Sequence, residues 1–264
     1  MNQVEENKFD ARGSALASVW PPASRPFLML SSASQMVSEL HEKDVSDIAR
    51  YWKHVLPIDL FSAVDRRKAE YVIARWCAAE LLSCLGAPTT EVGSGKNREP
   101  LWPVGFVGSI THSKLLVAVA VTDKTQVSSI GIDVEAIVDK NDAYYIAASC
   151  LREEELQMLN IECGLSRLQL VTLIFSAKEA FFKVLYPMVN TYFDFLDAAI
   201  DSVNVEEHTV RMVLKRQLSN KVQAGFSLTG TFNFQYGYVF TAFELIDQAV
   251  GHVLLERSRC EYPQ

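Results

Sequence analysis

The sequence lacks several features that define large classes of protein. It has no run of about 18 consecutive apolar residues, so no transmembrane helix is expected. Acidic residues at Glu5, Glu6 and Asp10 precede any apolar segment, which is not the pattern of a secretory signal. Low-complexity tracts and obvious internal repeats are also missing. We therefore expect a folded cytoplasmic protein, and loose association with a membrane or a larger assembly stays open.

Positive charge and metal-binding cysteine patterns are scarce as well. The chain has 25 Lys and Arg against 32 Asp and Glu, a net charge of −7. Because a nucleic-acid binder normally carries a basic balance or a basic face, nucleic acid is not an expected partner. The five cysteines are odd in number and form no Cys-x-x-Cys pair. This pattern favours reduced thiols over a disulfide framework or a zinc site.

Apolar patterns and turn residues predict alternating helices and strands. Segment 65–85 is rich in Ala, Leu, Arg and Glu and stops at Gly86, which is typical of a helix. The run 115–121 is too apolar to alternate, which is typical of a central strand buried on both faces. The other predicted elements are strands at 104–111, 129–135, 198–205, 209–214, 223–232, 236–244 and 252–256, and helices at 143–160 and 166–186, the last closed by Pro187.

This order of helix, strands, helix and strands predicts an α+β fold built from two halves. With 264 residues, 49% of them hydrophobic, the chain can bury a core in each half. We place the first half at 1–138, beginning with an irregular arm over 1–40 that includes a short strand at 27–30. The second half is then 139–264.

Three carboxylates are the most informative candidates for a functional site. Asp133 and Glu135 are two residues apart in a predicted strand, so both point to one face of a sheet. Glu179 lies on an apolar helical stripe with Phe175 and Phe182, where a carboxylate needs a cation or a proton. If the three converge, they suit a hard cation such as Mg²⁺ that holds a phosphate substrate.

Each of these candidates has a simpler alternative. Glu179 and Lys183 have the spacing of an ordinary i,i+4 ion pair on a solvated helix face, although the flanking phenylalanines weaken that interpretation. Asp133 could instead belong to a turn or a helix cap. His112, flanked by Thr111 and a serine, suits phosphate binding through hydroxyl donors, but a lone histidine is more often a surface or core residue.

Two further segments carry basic residues. The Gly93–Lys96 loop fails the P-loop spacing, because positions 90 and 97 are Thr and Asn, so we predict a flexible loop. The helix at 65–85 carries Arg67, Lys68 and Arg75. On composition alone, this basic face predicts a salt-bridged surface.

Four motifs occur together in order between residues 60 and 190. They are Arg67-Lys-Ala-Glu-Tyr-x-x-Ala-Arg75, Trp102-Pro-x-Gly-x-x-Gly-Ser-Ile-Thr-His112, Gly131-Ile-Asp-Val-Glu135 and Phe175-Ser-Ala-Lys-Glu-Ala-x-x-Lys183. In this combination the sequence resembles the 4′-phosphopantetheinyl transferases. The resemblance is to the larger monomeric type that serves siderophore and nonribosomal peptide synthases, including enterobactin synthesis.

The resemblance implies two similar α+β halves with the active site between them. It also implies a Mg²⁺-dependent reaction that moves the phosphopantetheine arm of coenzyme A onto a serine of a peptidyl, aryl or acyl carrier protein and releases 3′,5′-ADP. The expected partners are therefore coenzyme A and an apo carrier protein, and the enzyme is expected to be a monomer. A loose association with a synthase complex stays open.

The resemblance also assigns roles to individual residues. Asp133, Glu135 and Glu179 are expected to hold Mg²⁺, and Glu179 is the expected base, acting directly or through a water. The remaining residues are expected to contact the phosphates of the substrate. They are Arg67 and Arg75 at the 3′-phosphate, Thr111 and His112 at the nucleotide phosphates, and Lys178 and Lys183 at the pyrophosphate. For Lys178 a role in supporting the helix stays open.

The sequence departs from many relatives at two positions. Ala180 stands where many have Ser, and Ser113 where many have Cys. Neither change removes a proposed ligand, but both leave the carrier undefined. The segment 186–195, with Phe193 and Phe195, is a candidate carrier-docking surface or, alternatively, part of the core. The alternative function is a non-catalytic scaffold that binds coenzyme A or a nucleotide.

Overall fold

The computed structural model describes the backbone of residues 34–39 and residues 56–246 apart from 115, 126 and 162. The predicted strands at 27–30 and 252–256, and most of the predicted arm over 1–40, lie outside this part of the chain. Within it, no helix is both long and apolar enough to cross a membrane.

The first layer of the fold is a helix on a three-stranded sheet. Helix α1 (Asp65–Cys84) buries Ala69, Ile73 and Cys77 against the sheet and ends before Gly86, whose φ of 70° suits glycine. The antiparallel sheet has the order β1-β5-β4, with β1 at Ser34–Glu39, β4 at Phe106–Ser113 and β5 at Leu116–Asp123. As predicted, β5 is the central strand and is buried almost throughout.

The second layer is a longer helix on a five-stranded antiparallel sheet. Helix α4 (Arg167–Val189) packs on the sheet chiefly through β6 and β10. The strand order is β6-β10-β9-β8-β7, with β6 at Ser129–Ala136, β7 at Ala198–Asn204, β8 at Thr209–Leu214, β9 at Ser227–Gln235 and β10 at Tyr238–Leu245. The remaining elements are a short hairpin of β2 (Gly93–Ser94) and β3 (Pro100–Leu101) and the helices α2 (Lys140–Cys150) and α3 (Glu153–Met158). The α+β class is therefore confirmed.

Two helix predictions were wrong at their boundaries. The predicted helix at 143–160 is two helices, because Leu151 and Arg152 adopt extended backbone conformations between them. Helix α4 does not end at Pro187 but continues to Val189. Pro187 lacks only its own N–H, so the hydrogen bonds of the following residues can still form. Asn190 closes the helix in a left-handed conformation, with its N–H donating to the Tyr186 carbonyl at 2.8 Å.

The two sheets divide the chain earlier than the sequence predicted. A boundary after residue 138 would leave β6 in the first half. However, β6 pairs with β10 over its whole length and therefore belongs to the five-stranded sheet. By sheet membership, the division falls between β5 and β6.

The close approach of α4 to β6 depends on Gly131. A Cβ at this position would overlap the carbonyl oxygen of Ala180 and the amide nitrogen of Val184 on α4. Ser129 adds a hydrogen bond from its hydroxyl to the Val184 carbonyl at 2.7 Å. Because these two atoms belong to the helix backbone and the third neighbour is the Cβ of Val184, no side-chain rotation can make room. The glycine thus sets how closely Glu179 approaches the strand that carries Asp133.

We expect Gly131→Ala to lower the free energy of unfolding by about 1–3 kcal/mol, because the helix backbone must move away from the strand. The measurement is the urea denaturation midpoint. Gly93→Ala is the control, since its added methyl meets only Leu101 at 3.7 Å, and a change within about 0.5 kcal/mol is expected. Equal stability of Gly131→Ala and the wild type would contradict the packing described here.

Candidate active site

Asp133 and Glu135 lie where the two sheets meet. Their strand, β6, and the neighbouring strand β4 are edge strands of different sheets that run side by side. Two hydroxyls of β4 donate to these carboxylates, Thr111 to Oδ1 of Asp133 at 2.7 Å and Ser113 to Oε2 of Glu135 at 2.8 Å. The prediction that both carboxylates belong to one strand is confirmed, and the structure adds that β4 supplies one hydrogen bond to each.

Asp133 combines deep burial with an unused oxygen. Its side chain is 3% exposed, and Oδ1 accepts hydrogen bonds from Thr111 and from the Lys183 ammonium, each at 2.7 Å. The other oxygen, Oδ2, is buried and has no hydrogen-bond partner among the described residues. A buried carboxylate oxygen without a donor is costly, so this atom is available to a cation.

The positive charge of Lys183 compensates the neighbouring carboxylates only in part. Burial, together with the charge of Asp133, raises the pKa of Glu135 to about 7. Burial also raises the pKa of Glu179 on α4, and Asp133 adds to this effect while Lys183 opposes it. The carboxylates are therefore close enough to destabilise one another's charge. A divalent cation would relieve that repulsion, so the donor set fits a hard metal ion.

The carboxylates do not form a complete metal-binding site by themselves. In the part of the chain that the structure describes, no three His, Cys, Asp or Glu side chains are arranged to hold a metal ion as they stand. Mg²⁺ usually binds one or two carboxylates and completes its shell with substrate oxygens and waters, so it does not require such a site. The assignment of Asp133, Glu135 and Glu179 as a shared ligand set stays a prediction.

Lys183 lies at this centre and not on a solvated helix face. Its ammonium contacts Asp133 on the neighbouring strand, and its side chain is 24% exposed. The simpler alternative, an isolated Glu179–Lys183 pair in solvent, does not describe this arrangement, because the Lys183 ammonium binds the buried carboxylate of Asp133.

A basic cleft lies beside the carboxylates. Its volume is about 570 Å³, and it lies between α1, the loop that joins β2 to β3, and β4. The structure brings Arg67, Arg75 and His112 together in its wall, as the resemblance implied. Lys96 and Arg98 also line it, and sequence reasoning missed both because the loop fails the P-loop spacing. The signal that could have identified them was two basic residues close together after Gly93 and Gly95.

Glu70 organises the wall of this cleft. Its side chain is 10% exposed and lies within 3.5 Å of Arg66, Arg67 and His112. Arg67 also contacts Nε2 of His112, so Nε2 accepts a hydrogen bond and the ring proton is on Nδ1, facing Glu70. Burial lowers the pKa of His112, although Glu70 opposes this shift. His112 is therefore a neutral, fixed group at neutral pH.

Arg75 connects α1 with the loop across the cleft. Its guanidinium lies 4.5 Å from the centre of the Tyr71 ring and donates to Ser94 Oγ at 3.1 Å and to the Gly93 carbonyl at 3.3 Å. Asn97 in the same loop donates to the Tyr186 hydroxyl on α4 at 2.7 Å. The segment predicted to be a flexible loop is thus attached to both halves of the molecule.

Lys178 lies outside the basic cleft. Its ammonium donates to Glu155 Oε2 at 2.6 Å and to the carbonyls of Cys150 and Phe195 at 2.7 and 3.0 Å. The side chains of Lys178 and Glu155 are 1% and 0% exposed. All three ammonium protons are used, so the structure favours the role of helix support over the predicted contact with the pyrophosphate.

Thr111 also differs from its predicted role. Its side chain is buried, and its one hydroxyl proton goes to Asp133. It is not part of the cleft wall, whereas its neighbour His112 is. The alternation of side chains along β4 explains the difference, since successive residues of a strand point to opposite faces.

Aromatic residues form a smaller cavity of about 210 Å³ on the other side of Glu179. Phe182, Tyr192 and Phe193 are part of its wall. Phe193 is buried against Phe182, and Phe195 packs on Phe175 with ring centres 5.3 Å apart. For Phe193 and Phe195, this supports the core-packing alternative over an exposed docking surface.

Comparison with known families agrees with this arrangement. Residues 58–122 match the 4′-phosphopantetheinyl transferase N-terminal domain, and residues 129–236 match the 4′-phosphopantetheinyl transferase superfamily. The two matches meet between β5 and β6, where the sheets also divide. The chain belongs to the 4′-phosphopantetheinyl transferase family and is an enzyme of that class.

Individual relatives lead to the same family. The chain is 30% identical to the 4′-phosphopantetheinyl transferase Npt of Nocardia iowensis over 189 residues, which cover 68% of this chain and 83% of the relative. It is also 30% identical to the transferase PptT of Mycobacterium tuberculosis over 189 residues, 69% of this chain and 81% of the relative. Enterobactin synthase component D of Salmonella typhimurium is 40% identical over 124 residues, 47% and 50% of the two chains.

Two lysine-to-methionine variants compare the buried Lys178 with Lys96 in the cleft wall. Lys178→Met leaves Glu155 buried without its cation, so we expect the free energy of unfolding to fall by about 3–5 kcal/mol in chemical denaturation. Lys96→Met, in the cleft wall, is expected to change it by less than about 0.5 kcal/mol while weakening coenzyme A binding. A stable Lys178→Met protein with weakened coenzyme A binding would instead return Lys178 to the substrate site.

Proposed function

We propose that this enzyme transfers the phosphopantetheine arm of coenzyme A to a serine of a carrier protein, depends on Mg²⁺ and releases 3′,5′-ADP. The observation that carries the proposal is a basic cleft next to a buried acidic centre. His112 joins the two, since it lines the cleft and directly follows Thr111, whose hydroxyl donates to Asp133. A substrate with phosphates at one end and a reacting phosphorus near its middle can use both parts.

The cleft is chemically suited to the phosphorylated nucleotide of coenzyme A. Arg67, Arg75, Lys96 and Arg98 place positive charge around a volume of about 570 Å³. Guanidinium groups match phosphate oxygens in shape and charge. The uncharged pantetheine arm would then extend past the carboxylates to the aromatic cavity beside Glu179.

Asp133, Glu135 and Glu179 would hold Mg²⁺. Two observations support this assignment. Oδ2 of Asp133 is buried without a hydrogen-bond partner among the described residues, and burial together with the charge of Asp133 raises the pKa of Glu135. When bound, the metal would neutralise charge on the pyrophosphate, as hard cations do in phosphoryl transfer.

The protein's own groups supply proton transfer and charge stabilisation. Glu179 would accept the proton of the carrier serine, directly or through a water. The serine oxygen forms a bond to the β-phosphorus as the bond from that phosphorus to the bridging oxygen of the 3′,5′-ADP group breaks. Lys183 would stabilise charge on the pyrophosphate, and His112 would orient it.

Relatives named enterobactin synthase component D support siderophore or nonribosomal peptide synthesis as the pathway. The proposed acceptors are therefore peptidyl, aryl or acyl carrier proteins. We also propose that the enzyme works as a monomer in the cytoplasm.

Mass spectrometry of an apo carrier protein incubated with enzyme, coenzyme A and Mg²⁺ tests this function. We expect a gain of one phosphopantetheine per carrier. Glu179→Gln should lower the rate by about 10²- to 10⁴-fold because it removes the base. Glu153→Gln, an exposed site on α3, should behave as the wild type. No gain on several carriers with folded enzyme would favour the non-catalytic scaffold, and full activity of Glu179→Gln would remove its role as the base.

Comparing coenzyme A with 3′-dephospho-coenzyme A tests the cleft. Arg75→Met should lower kcat/KM for coenzyme A by roughly 10- to 100-fold, because a charge-assisted hydrogen bond is lost. It should affect the dephosphorylated substrate much less. The control is Arg211→Met. Arg211 lies on β8 and forms an exposed ion pair with Asp201 on β7. Equal losses on both substrates would show that Arg75 does not recognise the 3′-phosphate.

A further inference from the structure

Side-chain hydroxyls join the two sheets at the acidic centre. Strands β4 and β6 lie side by side, but they belong to different sheets and share no backbone ladder. Instead, β6 donates three backbone N–H groups to hydroxyls of β4. They run from Ile132 to Ser109 at 3.1 Å, from Val134 to Thr111 at 3.4 Å and from Ala136 to Ser113 at 3.2 Å. The pairs ascend together along both strands, so the strands run parallel, and we call this row the hydroxyl seam.

Two members of the hydroxyl seam have a second partner. A hydroxyl that accepts a hydrogen bond still has its own proton to donate. Thr111 donates to Asp133 and Ser113 to Glu135, at 2.7 and 2.8 Å. Each carboxylate therefore has a donor that is itself held by the backbone of β6. Ser109 accepts from Ile132 in the same way but has no hydrogen bond to a carboxylate among the described residues.

The neutrality of these donors is important for the acidic centre. A hydroxyl fixes the direction of a carboxylate without cancelling its charge, which a lysine or arginine would do. At Asp133, Thr111 and Lys183 occupy Oδ1 and leave Oδ2 without a partner. The arrangement orients a carboxylate and keeps one oxygen available.

We propose that Thr111 and Ser113 are positioning residues that orient Asp133 and Glu135 for the cation, with the seam between the sheets as their anchor. This inference rests on the proposed function, since it presumes that these carboxylates bind the metal. It assigns to Thr111 and Ser113 a task separate from phosphate binding. It also makes the packing of the two halves a determinant of metal affinity.

Ser109 provides a matched control for this proposal. Ser109→Ala, Thr111→Val and Ser113→Ala each remove one hydroxyl of the seam and leave one β6 N–H without that acceptor. All three are therefore expected to lower the thermal midpoint by roughly 2–8 °C. Only the last two also remove a donor from a carboxylate.

The decisive readout is Mn²⁺ affinity, measured by calorimetric titration of the full chain with and without coenzyme A. We expect Thr111→Val and Ser113→Ala to weaken Mn²⁺ binding by about 10- to 100-fold, as for other residues that orient metal ligands. Ser109→Ala should stay within about twofold of the wild type. Thr111→Ser keeps the hydroxyl and should restore affinity, which loss of packing alone would not allow.

Two results would overturn the proposal in different ways. Unchanged affinity in Thr111→Val and Ser113→Ala, or an equal loss in Ser109→Ala, would mean that the seam only stabilises the fold. The metal site and the proposed function would survive that result. If wild-type protein that is folded binds no Mn²⁺ under either condition, the metal assignment fails and the positioning role fails with it.

Discussion

The structure near the proposed centre depends on burying like charges where two sheets meet. Asp133 and Glu135 lie at this boundary between the sheets, and burial raises the pKa of Glu135 to about 7. Isolated carboxylates would not remain charged there, so neighbouring donors must offset their cost, and a bound cation would offset it further. The hydroxyls of Thr111 and Ser113 and the ammonium of Lys183 supply the donors.

Other parts of the fold place further functional side chains near Asp133 and Glu135. The absence of a side chain at Gly131 lets α4 approach β6, which places Glu179 and Lys183 opposite Asp133. The buried Lys178–Glu155 pair holds the same helix from its other side. On the first half, α1 and the loop between β2 and β3 build the basic cleft, and His112 on β4 lies between cleft and carboxylates.

Local patterns predicted much of this arrangement. The strand period placed Asp133 and Glu135 together, and the apolar stripe around Glu179 indicated a buried helix face. They could not separate Lys178 from Lys183, which point in directions about 140° apart around the helix and meet different neighbours. The role of the Gly93–Lys96 loop was also missed, because its anchor at Tyr186 is 89 residues away from Asn97. The different roles of the two lysines and the attachment of the loop both depend on tertiary contacts, which leave no pattern in the local sequence.

We propose that a divalent cation binds among the carboxylates where the two sheets meet. The most direct measurement is a crystal structure with coenzyme A and Mn²⁺, in which anomalous scattering locates the metal. We predict a peak within about 2.0–2.4 Å of Asp133 Oδ2 and of at least one glutamate oxygen from Glu135 or Glu179. A fully bound nucleotide in the basic cleft with no peak at these oxygens, or with the metal bound elsewhere, would contradict the account.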